Sequence, residues 1–163
     1  MNNTVPDLKI WKTIKIGTGL LLSGFVRAFR RADCIVSNCA KDILSKPAFT
    51  VSQKEQEVKL VKLTVRESGF KEGATTKEIY ERAQELGLKL CPAEVGPQLR
   101  LQYLDQPKGE RLGVAMKPIL DSGGDLLVFD VEHDVVGRYL RCDYGDPDDY
   151  WLAGNSWVFV SSK

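Results

Sequence analysis

The chain has 163 residues, of which 43% are hydrophobic and 28% are charged. This length excludes two independent domains of ordinary size, and the composition is typical of a soluble globular protein. We expect a single domain, residues 1–163, that buries roughly 70% of its unfolded surface, which excludes any need for a metal or a disulfide in folding.

The net charge of +1 hides an uneven distribution along the chain. Residues 1–60 carry 10 basic and 5 acidic side chains, whereas residues 121–163 carry 3 and 9. A basic N-terminal part predicts either a phosphate-binding surface or one half of a domain that faces an acidic half. We favour the second alternative because no run of five like charges occurs.

The N-terminal segment imitates a secretory signal only in part. Residues 1–8 are polar, contain a proline and are predicted to be frayed. Three lysines then precede an apolar stretch at residues 16–26, but glycines interrupt it and "RAFRRADC" follows it instead of a cleavage site. A stretch of this length is also too short for a membrane-spanning helix, which needs ~20 residues. We therefore expect a cytoplasmic protein with no membrane partner.

The cysteines are spaced too widely for a zinc ribbon or a redox motif. In the cytoplasm we expect them to be buried, reduced thiols. The sequence thus predicts no metal site and no cofactor. The cysteines are Cys34, Cys39, Cys91 and Cys142.

Two helices are predicted in the N-terminal part, residues 9–56. From Leu20 to Phe29 the apolar residues recur at helical spacing, while three arginines gather on the other side. A second, shorter helix is predicted over residues 37–44, where a following proline ends it.

A strand and a helix follow. Residues 58–67 alternate between apolar and polar side chains with one phase slip, which predicts a strand. Residues 74–87 give the clearest helix of the chain, because Thr75 and Glu78 form a capping box and Gly87 supplies a left-handed stop.

Beyond residue 90 the sequence predicts a connector and then a series of strands. Two prolines bracket residues 90–96, and residues 97–103 alternate with period two, which favours a strand, although Leu99 and Tyr103 also fit one helical face. Short turns then separate four further extended runs, at residues 111–120, 126–132, 138–144 and 156–162.

The predicted fold class is α+β, with N-terminal helices packed on a curved, mainly antiparallel sheet. Residues 57–163 are expected to form the strand, the helix and an antiparallel meander of about five strands.

Polar residues on and beside the 97–103 segment are the candidate site of a small hydrolase or transferase. Glu94 and Glu110 flank the segment and offer an acid and a base, with Arg100 between them. His133, the single histidine, would have to serve as the base for any Ser or Cys nucleophile. Because nucleophile-elbow, phosphate-loop and zinc-protease motifs are all absent from the sequence, we lean away from an enzyme.

An acidic loop near the C-terminus lies beside aromatic residues. Residues 143–149 contain four aspartates, but their order lacks the pattern of a calcium-binding loop, so we favour a solvated loop over a cation site. Tyr150 and Trp151 follow it, and aromatic side chains beside carboxylates are typical of binding surfaces.

A nucleic-acid-binding function is a further alternative. The stretch "TTKEIYERAQELGLKLCPAEV" followed by a hairpin loosely resembles a helix-turn-helix with a wing, and the basic N-terminal part would add phosphate contacts. Pro97 weighs against this alternative because it falls within the second helix, and Arg100 is the one basic residue there.

The leading functional hypothesis is a non-catalytic interaction or regulatory domain that binds a macromolecular partner, with a protein as the favoured partner. We hold it because enzyme signatures are absent from the sequence. The candidate binding residues are Arg100, Gln102, Tyr103, Tyr150 and Trp151.

Overall fold

The computed structural model of the protein describes residues 6–163. Along this part of the chain the secondary-structure elements are, in order, β1 (Lys12–Ile16), α1 (Leu22–Arg31), β2 (Cys34–Val36), α2 (Asn38–Leu44), β3 (Gln56–Thr64), β4 (Ala74–Thr75), α3 (Thr76–Glu85), β5 (Leu88–Lys89), α4 (Val95–Gln102), β6 (Arg111–Val114), β7 (Ile119–Leu120), β8 (Leu126–His133), β9 (Arg138–Tyr144), β10 (Tyr150–Trp151) and β11 (Ser156–Ser161).

Nine of the strands form one large sheet that curls into a half-barrel. Seven of them follow the order β1-β3-β11-β6-β8-β9-β2, while β5 pairs with β11 and β7 pairs with β8. The two remaining strands, β4 and β10, form a separate antiparallel pair.

The sheet is mixed, whereas the sequence predicted a mainly antiparallel one. β11 runs parallel to β6, and β2 runs parallel to β9. The predicted meander is restricted to β6, β8 and β9, because β11 leaves this series and inserts between β6 and β3. Trp157, Val158 and Phe159 in β11 are all buried, and a strand that is apolar on both faces belongs in the centre of a sheet.

The α+β class is confirmed, but the helices are not confined to the N-terminal part. β1 and β2 lie within residues 9–56, which were predicted to be helical. In the C-terminal part, α4 is a second helix in addition to α3, which lies where residues 74–87 predicted a helix. The strand β1 is difficult to recognise in the sequence because only Ile14 and Ile16 of this strand are buried, and lysines lie beside them.

The segment predicted as a strand over residues 97–103 is helix α4. Pro97 is compatible with this helix because it falls in the first turn, where backbone N–H groups have no partner inside the helix. The carbonyls of Pro92 and Ala93 accept the N–H groups of Val95 and Gly96, which starts the helix on the preceding turn.

The N-terminal helix is shorter than the apolar pattern that predicts it. α1 buries Phe25 and Phe29, as their spacing predicts, but Leu21 precedes the helix and is 66% exposed.

Residues 1–8 were predicted to be frayed. Of these, residues 1–5 lie outside the described residues, and Leu8 packs against the core.

The phase slip in β3 has a structural cause. Leu60 points to one face of the sheet and Val61 to the other, and both are buried. β3 is an inner strand of the sheet, between β1 and β11, and it carries buried side chains on both faces.

The helices divide between the two faces. α3 begins at the predicted capping box, where the Thr75 hydroxyl accepts the N–H of Glu78, and its Tyr80 ring lies edge-on to Trp157. Trp157 pairs with Gly113 of β6, which pairs with Asp130 of β8, so the Trp157 and Asp130 side chains lie on one face. Phe129, the neighbour of Asp130, lies on the other face, where Gly96 of α4 contacts it. α3 and α4 therefore lie on opposite sides of the sheet.

None of the helices in residues 6–163 combines the length and the apolar character required to cross a bilayer.

The contact between α4 and β8 predicts the effect of adding one methyl group. A Cβ atom on Gly96 would lie 2.5 Å from Cδ2 of Phe129, so Gly96→Ala overpacks this contact. We expect the free energy of unfolding to fall by about 1–3 kcal/mol in urea denaturation. Gly154→Ala is the matched control because no atom lies within 4 Å of its Cβ position, and equal stability of the two variants would contradict the prediction.

Candidate functional site

The polar residues predicted to form one site are divided between two hydrogen-bond networks around α4. Glu94 and Gln102 lie on the side of the helix that faces β1 and the loops beside it. Arg100 lies on another side, towards β8 and β9. Tyr103 and Glu110 belong to the second network.

Glu94 holds two loops of the N-terminal part. Its side chain is buried, at 1% exposure, and its carboxylate accepts the N–H groups of Gly17 and Ser52 at 2.8 Å each. The amide of Gln98 donates a third hydrogen bond, at 3.0 Å. Three donors satisfy this carboxylate, which therefore has a structural role in joining α4 to the loops.

Gln102 binds the outer edge of β1. Its amide oxygen accepts the N–H of Lys15 and its amide nitrogen donates to the carbonyl of Lys15, both at 2.8 Å. In an antiparallel sheet, a residue of a neighbouring strand would make the same two hydrogen bonds with its backbone. The side chain covers an edge that would otherwise be open to another chain.

Arg100 is fully buried and holds no ion pair with a carboxylate among the residues of the described chain. Its Nη1 donates to the Gln106 side chain at 2.7 Å and to the carbonyls of Glu132 and Tyr139 at 3.1 and 3.3 Å. Its Nη2 donates to the Tyr103 carbonyl at 2.6 Å. Burial lowers the pKa of Arg100 from its ordinary value.

Gln106 joins Arg100 to two other predicted site residues. Its side-chain amide nitrogen donates to the backbone carbonyls of Glu110 and Val131. Its backbone carbonyl contacts Nδ1 of His133. The sequence-predicted residues Arg100, Glu110 and His133 thus meet around one buried glutamine. The network ties a loop to the sheet.

The outer end of this network reaches the surface. The Tyr103 hydroxyl donates to Glu110 at 2.8 Å, and Glu110 pairs with Lys62 at 3.1 Å. Burial and the Glu110 carboxylate raise the pKa of Tyr103. Trp11 packs edge-on against Tyr103, and the Lys62 ammonium lies 4.9 Å from the Trp11 ring centre.

The aromatic residues near the acidic loop have separate environments. Tyr150 is 59% exposed and donates its hydroxyl to the Glu72 carbonyl, whereas Trp151 is half-buried and donates to Thr76. In the loop, the N–H of Asp146 bonds to Asp149, which closes a turn. Within residues 6–163, no three His, Cys, Asp or Glu side chains are grouped to hold a metal ion.

A charged cluster that the sequence reasoning missed lies on the open part of the α3 face. Asp130, in β8, is 1% exposed and pairs with Arg111 at 2.9 Å, and Arg111 also pairs with Asp143. Burial raises the pKa of Asp130 to about 6, and Arg111 offsets only part of that rise. The signal in the sequence was an aspartate in the middle of the apolar run "LLVFDVE".

An apolar groove of about 750 Å³ lies between α3, β5 and two turns, at Pro118 and at residues 145–147. Leu90 lies at its edge with 42% of its surface exposed. The groove includes the apolar residues Tyr80, Ala83, Leu88, Leu90, Pro118 and Pro147. The signal in the sequence was Leu90, an apolar residue in a connector bracketed by prolines.

Comparison of the chain with protein-family models, with curated proteins and with solved structures finds no match.

The Arg100 network predicts a large loss of stability when the guanidinium is removed. Arg100→Met keeps much of the side-chain volume but leaves the bonded carbonyl oxygens without a donor. We expect the free energy of unfolding to fall by about 3 kcal/mol in urea denaturation. Arg31→Met, on the exposed side of α1, should change it by less than about 0.5 kcal/mol, and an equal effect of both variants would contradict this prediction.

The raised pKa of Asp130 predicts that the free energy of unfolding depends on pH. Its ordinary value is 3.8, so the folded state binds the proton more tightly than the unfolded state does, and stability falls as the pH rises from about 4 to about 6. Asp130→Asn lacks this titration. Relative to the natural chain, the variant should gain about 2–3 kcal/mol in unfolding free energy between pH 4 and pH 7, measured by urea denaturation. A difference that is constant with pH would refute the assignment.

Proposed function

We propose that this chain is a protein-binding domain that holds an extended, apolar segment of its partner in the groove between α3 and β5. The observation that carries this proposal is the groove itself, with its apolar wall and the exposed Leu90 at its edge. In this proposal the domain acts by binding rather than by catalysis.

The size of the groove supports a bound segment of several side chains. Ligand pockets commonly measure about 300–1,000 Å³, and the groove, at about 750 Å³, falls within this range. A second depression of about 370 Å³ adjoins it, since Lys89 and Leu90 line both. In this proposal a long segment of the partner extends from the groove beside α3 into the second depression, at the start of β3.

The charge around the two depressions supports a partner of particular chemistry. Four lysines line them, against two glutamates, Glu57 and Glu81. An excess of positive charge favours a segment in which acidic residues flank the apolar ones, because complementary charges steer association. The lysines are Lys59, Lys77, Lys89 and Lys163.

An exposed apolar residue extends the surface beyond the far wall of the groove. Leu120 follows Pro118 closely in the chain and is 56% exposed. Exposed apolar side chains that form a patch are typical of protein-binding surfaces. Leu120 would contact a part of the partner that extends out of the groove.

The proposal relocates the binding surface expected from the sequence. Arg100, Gln102 and Tyr103 use their polar atoms within the protein, so they are poorly placed to bind a partner. A hydrolase site at Glu94, Arg100 and Glu110 would need those atoms free in one cleft. A nucleic-acid-binding helix would need an exposed α4, but its residues 95–100 are buried. We therefore place a protein partner first.

The proposed compartment is the cytoplasm. All four cysteines are free thiols in the structure, and reduced thiols are the rule in that compartment. A partner in the same compartment follows from this proposal.

A charge placed in the groove tests the proposal. The probe is a phage-displayed library of random peptides, from which the natural chain should select apolar peptides that carry Asp or Glu. Leu90→Asp should weaken binding of a synthetic selected peptide at least about tenfold, measured by fluorescence polarisation, because it places a carboxylate on the apolar wall.

Val136→Asp is the matched control, since Val136 is 71% exposed in the turn between β8 and β9, at the opposite end of that hairpin from Gly145. It should leave the peptide affinity unchanged, and thermal unfolding should show that both variants are folded. Failure of the natural chain to select any such peptide, or equal binding by both variants, would overturn the proposal.

A further inference from the structure

A small cavity lies on the α3 face of the sheet, beside Gly113 and Trp157. Trp157, Gly113 and Asp130 are register partners on β11, β6 and β8, so they form a row across three strands. A Cβ atom on Gly113 would lie 3.0 Å from Cε3 of the Trp157 ring. The cavity beside this row has a volume of about 20 Å³.

Two polar atoms of the residues that line this cavity have no hydrogen-bond partner within residues 6–163. They are Oδ1 of Asp130 and Nε1 of Trp157, and each of these residues is 1% exposed. The other oxygen of Asp130, Oδ2, already accepts from Arg111. Buried polar groups are rarely left unsatisfied, so this pair of atoms points to a ligand.

The two atoms define the chemistry of the group that fits. The carboxylate oxygen of Asp130 accepts a hydrogen bond, and the indole N–H of Trp157 donates one. A hydroxyl group both donates and accepts, whereas an ammonium has no acceptor and a carboxylate has no donor. A single water-sized group needs roughly 10–15 Å³, so the cavity, at about 20 Å³, takes one hydroxyl.

The mouth of the cavity extends this chemistry beyond one group. Arg111 is half-exposed there and pairs with Asp143, and the cavity wall also includes Asn155, Ser156 and Trp151. Charged and amide side chains bind further hydroxyl groups, and an aromatic ring packs against C–H groups. A ligand with several hydroxyl groups on a small ring satisfies all of these features.

We propose that the cavity beside Gly113 is the deepest part of a sugar-binding site, in which one hydroxyl of the sugar bonds to Asp130 and Trp157. This site is independent of the groove between α3 and β5 and rests on a different observation. A negative result for one of the two proposals therefore does not contradict the other.

Saturation-transfer NMR with single monosaccharides tests the sugar site. The probes are glucose, galactose, mannose, N-acetylglucosamine and ribose at millimolar concentration. At least one should receive saturation from the natural chain. Trp157→Phe removes the indole N–H, together with part of the ring system, and keeps an aromatic ring at this position. The loss of one hydrogen bond should weaken the affinity by at least about three- to tenfold.

Gly113→Ala places a methyl group 3.0 Å from the Trp157 ring, so it should displace the indole and abolish the signal. Gly123→Ala, whose Cβ would meet only ordinary contacts with Asp121, should leave the signal unchanged. Circular dichroism checks that each variant is folded, and Trp157→Phe keeps the test decisive if Gly113→Ala does not fold. The proposal is overturned if none of the sugars gives a signal, if Trp157→Phe binds as the natural chain does, or if a crystal structure with the sugar shows only water in the cavity.

Discussion

Arg100 places a full positive charge inside the protein with four hydrogen bonds to neutral oxygens and no ion pair with a carboxylate among residues 6–163. A buried charge is costly unless it is hydrogen-bonded. The two terminal nitrogens of Arg100 make these bonds, whereas its Nε has no partner among residues 6–163. The guanidinium therefore requires the end of α4, the loop to Gln106 and the facing ends of β8 and β9 to stay in fixed positions. Much of the arrangement around α4 depends on this one requirement.

The same helix joins the N-terminal part to the sheet. The carboxylate of Glu94 and the amides of Gln98 and Gln102 lie four residues apart, so they share one side of α4 and reach the loops and the β1 edge. Polar residues that look like a reaction site in the sequence therefore serve as internal connections. The open surfaces of the molecule lie on the other face, around α3.

The sequence predicts elements that depend on local chemistry. The α3 capping box, the two N-terminal helices and the strands of the β8–β9 hairpin were recognisable because each carries its own pattern. It misjudged α4, since Pro97 fits a strand start as well as a first helical turn. Asp130 and Leu90 are each unusual at their place in the sequence, but the cluster and the groove around them could not be predicted, because register and packing between distant residues create them.

The position of β11 has a consequence for folding during synthesis. Its neighbours in the sheet, β3 and β6, are completed at residues 64 and 114, whereas β11 is completed only at residue 161. Until residue 161 has left the ribosome, β3 and β6 each have an edge that β11 does not yet pair with. Unpaired edges promote aggregation of nascent chains, so we expect this protein to need chaperone protection until β11 has been synthesised.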